Sequence, residues 1–308
     1  MDSPKKPPTT ACFSAKIDVG LAAKLKEDLI DQGFAISKPP YTIFSALKKG
    51  ISCTLYESGS LTVQGKDKDA FIEFYLEPEI LQSFVFTHPV AHVDLTPHIG
   101  LDEAGKGDFF GPLCTAAVYA DEFGIKKLIS MGVKDSKRLS DATVIKLGNQ
   151  IKEIFPFALI RLFPEKYNEL YGKFRNLNRL LAWTHATAIA DITQKTSCRK
   201  AILDQFAEKH VMETMLKQKK IEIDLLQMHK GEQDVVVAAA SILARMAFLE
   251  GLAKLELEIA LPLPKGASTI VKEAAKRIIA HLGLPTLDKV AKTHFKTRQD
   301  ILNDLKLP

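Results

Sequence analysis

Apolar and polar positions along this chain change their period in a way that divides it. "CFSAKIDV" (12–19) alternates loosely and predicts a strand. "LAAKLKEDLIDQGF" (21–34) puts Leu21, Leu25, Leu29 and Ile30 at helical spacing, with Gly33 as a stop. "ISCTLYESGSLTVQGK" (51–66) is two β-rich runs around the turn signal Ser58-Gly59. "KDAFIEFYLEPEIL" (68–81) reads as a helix. Strand, helix, strands and helix make a small α+β unit over residues 11–82. Residues 1–10 read as a flexible tail, and 83–97, with Pro89 and Pro97, as a linker.

Beyond the linker, strands come first as a hairpin and then alternate with helices. "HIGLDEAG" (98–105) and "GPLCTAAVYA" (111–120) are predicted strands joined by a glycine-rich loop. A helix over 141–154 leads to a strand over 157–164, and a long helix over 178–196 to a strand over 200–206. A short strand within 221–231 precedes an alanine-dense helix over 235–260. This order predicts an α/β domain, 98–308, with a mixed sheet covered by helices.

Composition changes little: 46% hydrophobic and 26% charged residues are ordinary for a globular chain. No apolar run approaches a membrane span, so no transmembrane helix is expected, and the lysines of the first ten residues precede no apolar core. Cys12, Cys53, Cys114 and Cys198 are scattered, so neither zinc nor a disulfide framework is expected, and a cytoplasmic location is the default. Charge is more informative. Residues 1–97 carry 10 Lys and Arg against 12 Asp and Glu, whereas 98–308 carry 32 against 25. The basic excess favours a polyanionic partner for the second domain.

Candidate chemistry gathers at "GLDEAGKGDFFGPL" (100–113). A Walker loop needs Lys followed by Ser or Thr, and a Rossmann turn needs a helix after its glycines; neither holds here. Two readings remain. Glycines suit a plain hairpin turn. Alternatively, Asp102 and Glu103, side by side at the end of a buried strand, repel one another and lose hydration, and a divalent cation offsets both costs. A two-metal phosphodiesterase site needs further acids. Asp204 ends a strand; Glu232 and Asp234 precede a helix, where acids also serve as caps.

In combination these residues resemble the type 2 ribonucleases H, and ribonuclease HIII in particular. The resemblance rests on "GLDEAGKGDFFGPL", "VKDSKRLS" (133–140), "NLNRLLAWTHATAI" (176–189), "AILDQF", "HKGE" with "VAAASILAR", and "AKTHFKTR" (291–298), in this order. Residues 39–66 resemble the strand-rich core of the TATA-box-binding-protein-like domain that ribonuclease HIII carries and ribonuclease HII lacks. The resemblance implies a ribonuclease H-like fold behind that domain. It implies an endonuclease cutting the RNA strand of RNA–DNA hybrids to leave 5′-phosphate and 3′-hydroxyl ends. Two Mg²⁺ or Mn²⁺ ions would be held by Asp102, Glu103, Asp204 and Glu232. The segment from Glu232 to Ala238 is shorter than the family pattern, which leaves Asp234 open as a rival. By the same resemblance Gly105, Lys106 and Gly107 read the ribose 2′-OH, and Lys134, Ser136 and Lys137 contact phosphates. Trp183 and His185 are expected as core or satisfied polar groups, and Lys292 and His294 are weaker candidates. A monomer without an obligate protein partner or membrane is expected. A hybrid-binding protein without catalysis is the alternative.

Overall fold

The computed structural model describes residues 12–82, 93–134, 136, 139–229 and 231–307, except the side chain of Glu232. The expected tail and most of the expected linker therefore lie outside the described residues, as does Lys137. Chain contacts separate two units, Met1–Asp94 and Leu95–Pro308.

In the first unit the elements are β1 (Cys12–Lys16), α1 (Ala22–Asp31), β2 (Ala35–Ser37), β3 (Thr42–Lys48), β4 (Ile51–Tyr56), β5 (Ser60–Gln64) and α2 (Lys68–Phe71). The expected strand 12–19 stops at Lys16, because Val19–Leu21 form a 3-10 turn capped by Asp18. The expected helix 68–81 is a single α-turn running into a wider π-helix, Ile72–Leu81, which contains Pro78. Proline has no N–H to donate in either winding, so the helical ladder lacks one bond at Pro78. The strands pair antiparallel in the order β1-β5-β4-β3-β2. Alternate residues of β3, β4 and β5 (Phe44, Cys53, Leu55, Leu61 and Val63) bury against Leu25, Leu29, Ile72 and Leu76 of the helices. The opposite sheet face carries Ser45, Ser52, Thr54 and Thr62, with Leu47 63% exposed.

In the second unit β6 (His98–Ala104), β7 (Leu113–Ala120) and β8 (Phe157–Leu162) form an antiparallel meander. β9 (Lys200–Asp204) joins β6 in parallel and β10 (Asp224–Met228) joins β9 in parallel, giving the order β10-β9-β6-β7-β8. This is the mixed sheet that the sequence predicts. Its helices are α3 (Glu122–Ser130), α4 (Asp141–Ile154), α5 (Pro164–Phe174), α6 (Leu177–Thr196), α7 (Lys209–Lys219), α8 (Val235–Ile259), α9 (Thr269–Leu282), α10 (Leu284–Val290) and α11 (Lys296–Asp304). The strand expected over 157–164 ends at Leu162 because Pro164 opens α5, where its fixed φ suits a first turn.

Strand alternation assigns each face its helix. Ile99 and Leu101 of β6 pack against Ala182, Ala186 and Ile189 of α6. Gly100 faces the other way, onto the start of α8. A Cβ at Gly100 would lie 2.3 Å from the Val236 carbonyl carbon, so only glycine lets this helix dock so close. By length and composition α8 is apolar enough to cross a membrane, but 83% of its most apolar window is buried inside this unit. That burial suits a core helix packed between sheet, α3 and α4.

Candidate active site

The alternation that sorts the core also separates the two adjacent acids. Glu103, in phase with Leu101, turns toward α6, where its Oε2 lies 3.1 Å from His185 Nε2. Asp102, in phase with Gly100, turns toward α8 and takes a hydrogen bond from Ser241. Asp204 ends the neighbouring parallel strand, one step beyond the Leu101–Leu203 pair. All three acids line one cleft of about 420 Å³ with Gly105, Lys106, Gly107, Asp108 and Ser136. They sit at the carboxyl ends of parallel strands, where open α/β sheets bind ligands.

The two acids differ electrostatically. Burial and the charge of Glu103 push the Asp102 carboxyl up to about 7, against hydrogen bonds from Ser241 and the Glu103 N–H. Burial also works against ionised Glu103, but His185 and Lys106 outweigh it and hold its carboxyl below the usual range. Lys106 Nζ lies 3.7 Å from Glu103 Oε1 and 5.7 Å from the Phe206 ring centre, so this lysine faces the acids. His185 is fully buried and stacks on Phe206 at 5.1 Å.

Asp204 Oδ1 accepts a hydrogen bond from Gly231 N at 2.9 Å, which seats the residue before Glu232 on Asp204. Asp234 is engaged elsewhere. Its Oδ1 accepts from Val236 N and Val237 N, capping α8, and lies 3.1 Å from His98 Nε2.

Of the expected phosphate contacts, Lys134 is exposed. Ser136 is 3% exposed, and its hydroxyl meets Ser241 Oγ at 2.8 Å. Two cations that the sequence reading passed over line the cleft instead: Arg245 and Lys265. Arg245 Nη2 lies 2.7 Å from Asp141 Oδ1, and Lys265 Nζ lies 2.5 Å from Asp141 Oδ2. Arg245 also donates to the Ser136 carbonyl. Its position four residues after Ser241, on the same helix face, is a signal that was open to sequence reading. Lys265, in an irregular segment, carried none.

Gly105 and Gly107 have different reasons to be glycine. Gly105 has φ +85°, and a Cβ there would stand 2.2 Å from the Pro112 carbonyl oxygen. Gly107 is exposed, and a Cβ there would meet nothing within 4 Å.

A divalent cation suits this donor set. Two adjacent buried carboxyls, one of them reluctant to ionise, gain most from a neutralising charge. Among the described residues no three His, Cys, Asp or Glu side chains close into a cage. Mg²⁺ keeps waters and takes phosphate oxygens alongside one or two carboxylates.

Comparison with known proteins identifies the class. A family model described as Ribonuclease HII matches residues 99–298, and one described as a domain of unknown function, DUF3378, matches 5–85. Ribonuclease HIII of Protochlamydia amoebophila is 53% identical over 290 residues, covering 94% of this chain and 96% of that protein. Ribonuclease HIII of Chlamydia muridarum is 50% identical, covering 94% and 97%. The chain belongs to the ribonuclease HIII family. A crystal structure of Bst-RNase HIII in complex with Mn²⁺ matches with TM-score 0.68 and 28% identity, covering 96% of this chain and 99% of that one. Aquifex aeolicus RNase H3 matches with TM-score 0.56 at 29% identity, covering 92% and 100%. Ribonuclease H2 from Pyrococcus horikoshii shares the fold over 68% of this chain at 23% identity, with TM-score 0.59.

Proposed function

We propose that this chain is an endonuclease that hydrolyses the RNA strand of RNA–DNA hybrids, leaving 5′-phosphate and 3′-hydroxyl ends. Asp102, Glu103, Asp204 and Glu232 are assigned as the ligands of two divalent cations, Mg²⁺ or Mn²⁺. The observation that carries this reading is the convergence of Asp102, Glu103 and Asp204 on one cleft beside the glycine loop. Family membership, and the Mn²⁺ complex of the Bst enzyme, support it.

Hydrolysis adds water across the P–O3′ bond: hydroxide joins phosphorus, and the 3′ oxygen leaves with a proton. Bound cations would supply the positive charge that eases water deprotonation and stabilises the leaving oxygen. The chain's own residues prepare the site. His185 and Lys106 keep Glu103 ionised, and Ser241 orients Asp102. Arg245 and Lys265, held by Asp141, line the wall of a cleft that must receive phosphates. Exposed Gly107 leaves its backbone open to a ribose, whose 2′-OH distinguishes RNA from DNA. Asp234 Oδ1 already serves His98 and the start of α8, which favours Glu232 as the fourth acid. Ser136 is better read as a support for Ser241 and Arg245 than as a phosphate contact. The polar open face of the first unit's sheet is assigned to substrate binding.

The test is cleavage of a uniform RNA–DNA hybrid, an RNA duplex and a DNA duplex in Mg²⁺, Mn²⁺ and chelator, with analysis of the product ends. Hybrid-selective, metal-dependent cutting supports the reading. Binding without cutting under every metal condition would falsify it.

A further inference from the structure

Lys292 is the one lysine among the largest fully buried side chains, at 0% exposure. It does not line the cleft. Its Nζ donates to the carbonyls of Asp108 at 2.7 Å, Gly111 at 2.7 Å and Phe110 at 3.4 Å. Burial pushes the Lys292 amine down to about 7; in its ammonium form its three hydrogens match the three carbonyls. All three belong to the turn that follows Gly105-Lys106-Gly107.

Main-chain contacts close around the same turn. Lys292 N donates to Phe109 O at 2.9 Å, and Gly111 N to Val290 O at 3.0 Å, about the bridge between Phe110 and Ala291. From the other side, Phe109 N donates to Gly266 O at 2.9 Å, and Gly266 N to Asp108 Oδ1 at 2.6 Å. Phe109 and Phe110 are fully buried beneath the turn, and Phe295 packs edge-on against Phe109.

A buried ammonium is costly, and an apolar side chain of similar volume usually fills such a space more cheaply. What it offers is direction. Inward-turned carbonyls left without donors are destabilised by about 1–3 kcal/mol each and swing toward other partners.

We propose that Lys292 is a positioning residue for catalysis: it anchors residues 108–111 from beneath and thereby holds the Gly105–Gly107 backbone where it meets the ribose. This rests on the hybrid-cleaving reading above. Lys292 touches no substrate; it acts through the loop.

The experiment compares wild type with Lys292→Met on a uniform RNA–DNA hybrid in Mg²⁺, alongside thermal melting and amide hydrogen exchange of residues 105–109. In a folded Lys292→Met protein, kcat falls roughly tenfold or more, as for other small misplacements of reacting groups. KM stays within about threefold, and the loop amides exchange faster. A folded variant with kcat within about twofold of wild type, or with unchanged loop exchange, overturns the proposal. If Lys292→Met does not fold, Lys292→Gln decides, since its shorter amide keeps a polar group in the same pocket but cannot reach all three carbonyls. Faster loop exchange with a kcat-specific loss supports the clamp; wild-type exchange and kcat sink it. Wild type that fails to cut any hybrid refutes the function instead, and the exchange comparison still reads the clamp.

Discussion

His98 and Asp234 lie 136 positions apart in sequence, yet their side chains meet at 3.1 Å at the start of α8. His98 Nδ1 also meets the Thr96 carbonyl at 2.7 Å. Both partners are acceptors, so a ring satisfying both carries two N–H groups and a positive charge. Asp234 thus neutralises a buried cation and caps a helix at once.

Under the proposed assignment Asp234 serves this pair and Glu232 serves the metal, and two substitutions test that division. Asp234→Asn keeps a good cap but loses the charge opposite His98. It is expected to cost about 1–2 kcal/mol in urea unfolding while retaining cleavage. Glu232→Gln is expected to abolish cleavage and leave the unfolding curve in place. Loss of turnover in Asp234→Asn with normal stability would reverse the assignment.

The same pair predicts a pH dependence. Burial lowers the His98 value, but the hydrogen bond and charge of Asp234, with Thr96, raise it overall above 6.5. The folded state therefore binds more protons than the unfolded state in that window. The stability His98 contributes is complete below about 6.5 and is lost as pH rises through the raised folded value. Urea midpoints of wild type and His98→Gln should converge on going from pH 6 toward alkaline pH. A gap that widens instead would contradict the charged pair.

Metal linkage offers a third check. At one hundred times Kd a ligand that binds only the native state adds roughly 2.7 kcal/mol. Mg²⁺ or Mn²⁺ should raise the thermal midpoint of wild type and restore activity removed by chelator. Asp102→Asn removes one of two repelling acids, so its metal-free midpoint should match or exceed wild type. Its metal-induced rise and its turnover should both be lost; near-normal turnover would count against the site.

Gly105 and Gly107 should part company under substitution. Gly105→Ala is expected to lose more than about 1 kcal/mol, because alanine resists positive φ and its Cβ meets Pro112. Gly107→Ala should stay within about 0.5 kcal/mol in unfolding yet cut hybrid more slowly. Equal activity of Gly107→Ala and wild type would remove the argument that this position faces the ribose.

The first unit invites a simpler experiment. Removing residues 1–94 should weaken hybrid affinity while leaving cutting at saturating substrate. Unchanged affinity would refute a binding role for its polar sheet face.

Much of this was legible in the sequence, and the reasons are local. Asp102, Glu103 and Asp204 stand where apolar strands end, and strand periodicity alone marks such ends. The meander and the helices α4, α6 and α8 follow from runs long enough to show their period. α9 also carries Val271, Ala274, Ala275 and Ile278 at helical spacing and was open to the same reading. α10 is seven residues beginning Leu-Pro, too short to show a period. The role of Gly100 depends on a helix 136 residues away, which no local pattern reports. Lys292 lies in a short segment, Val290-Ala291-Lys292-Thr293-His294, with no clear period, and reads as a solvated lysine; the carbonyls that receive it come from residues 108–111.

That long reach has a consequence for how the protein comes into being. During synthesis the acids of β6 emerge early, and Asp204 follows a hundred residues later. The carbonyls of the turn at 108–111 wait longer still, until residue 292 has left the ribosome. A nascent chain therefore holds the acids of β6 well before the residues that complete and support the cleft have been made.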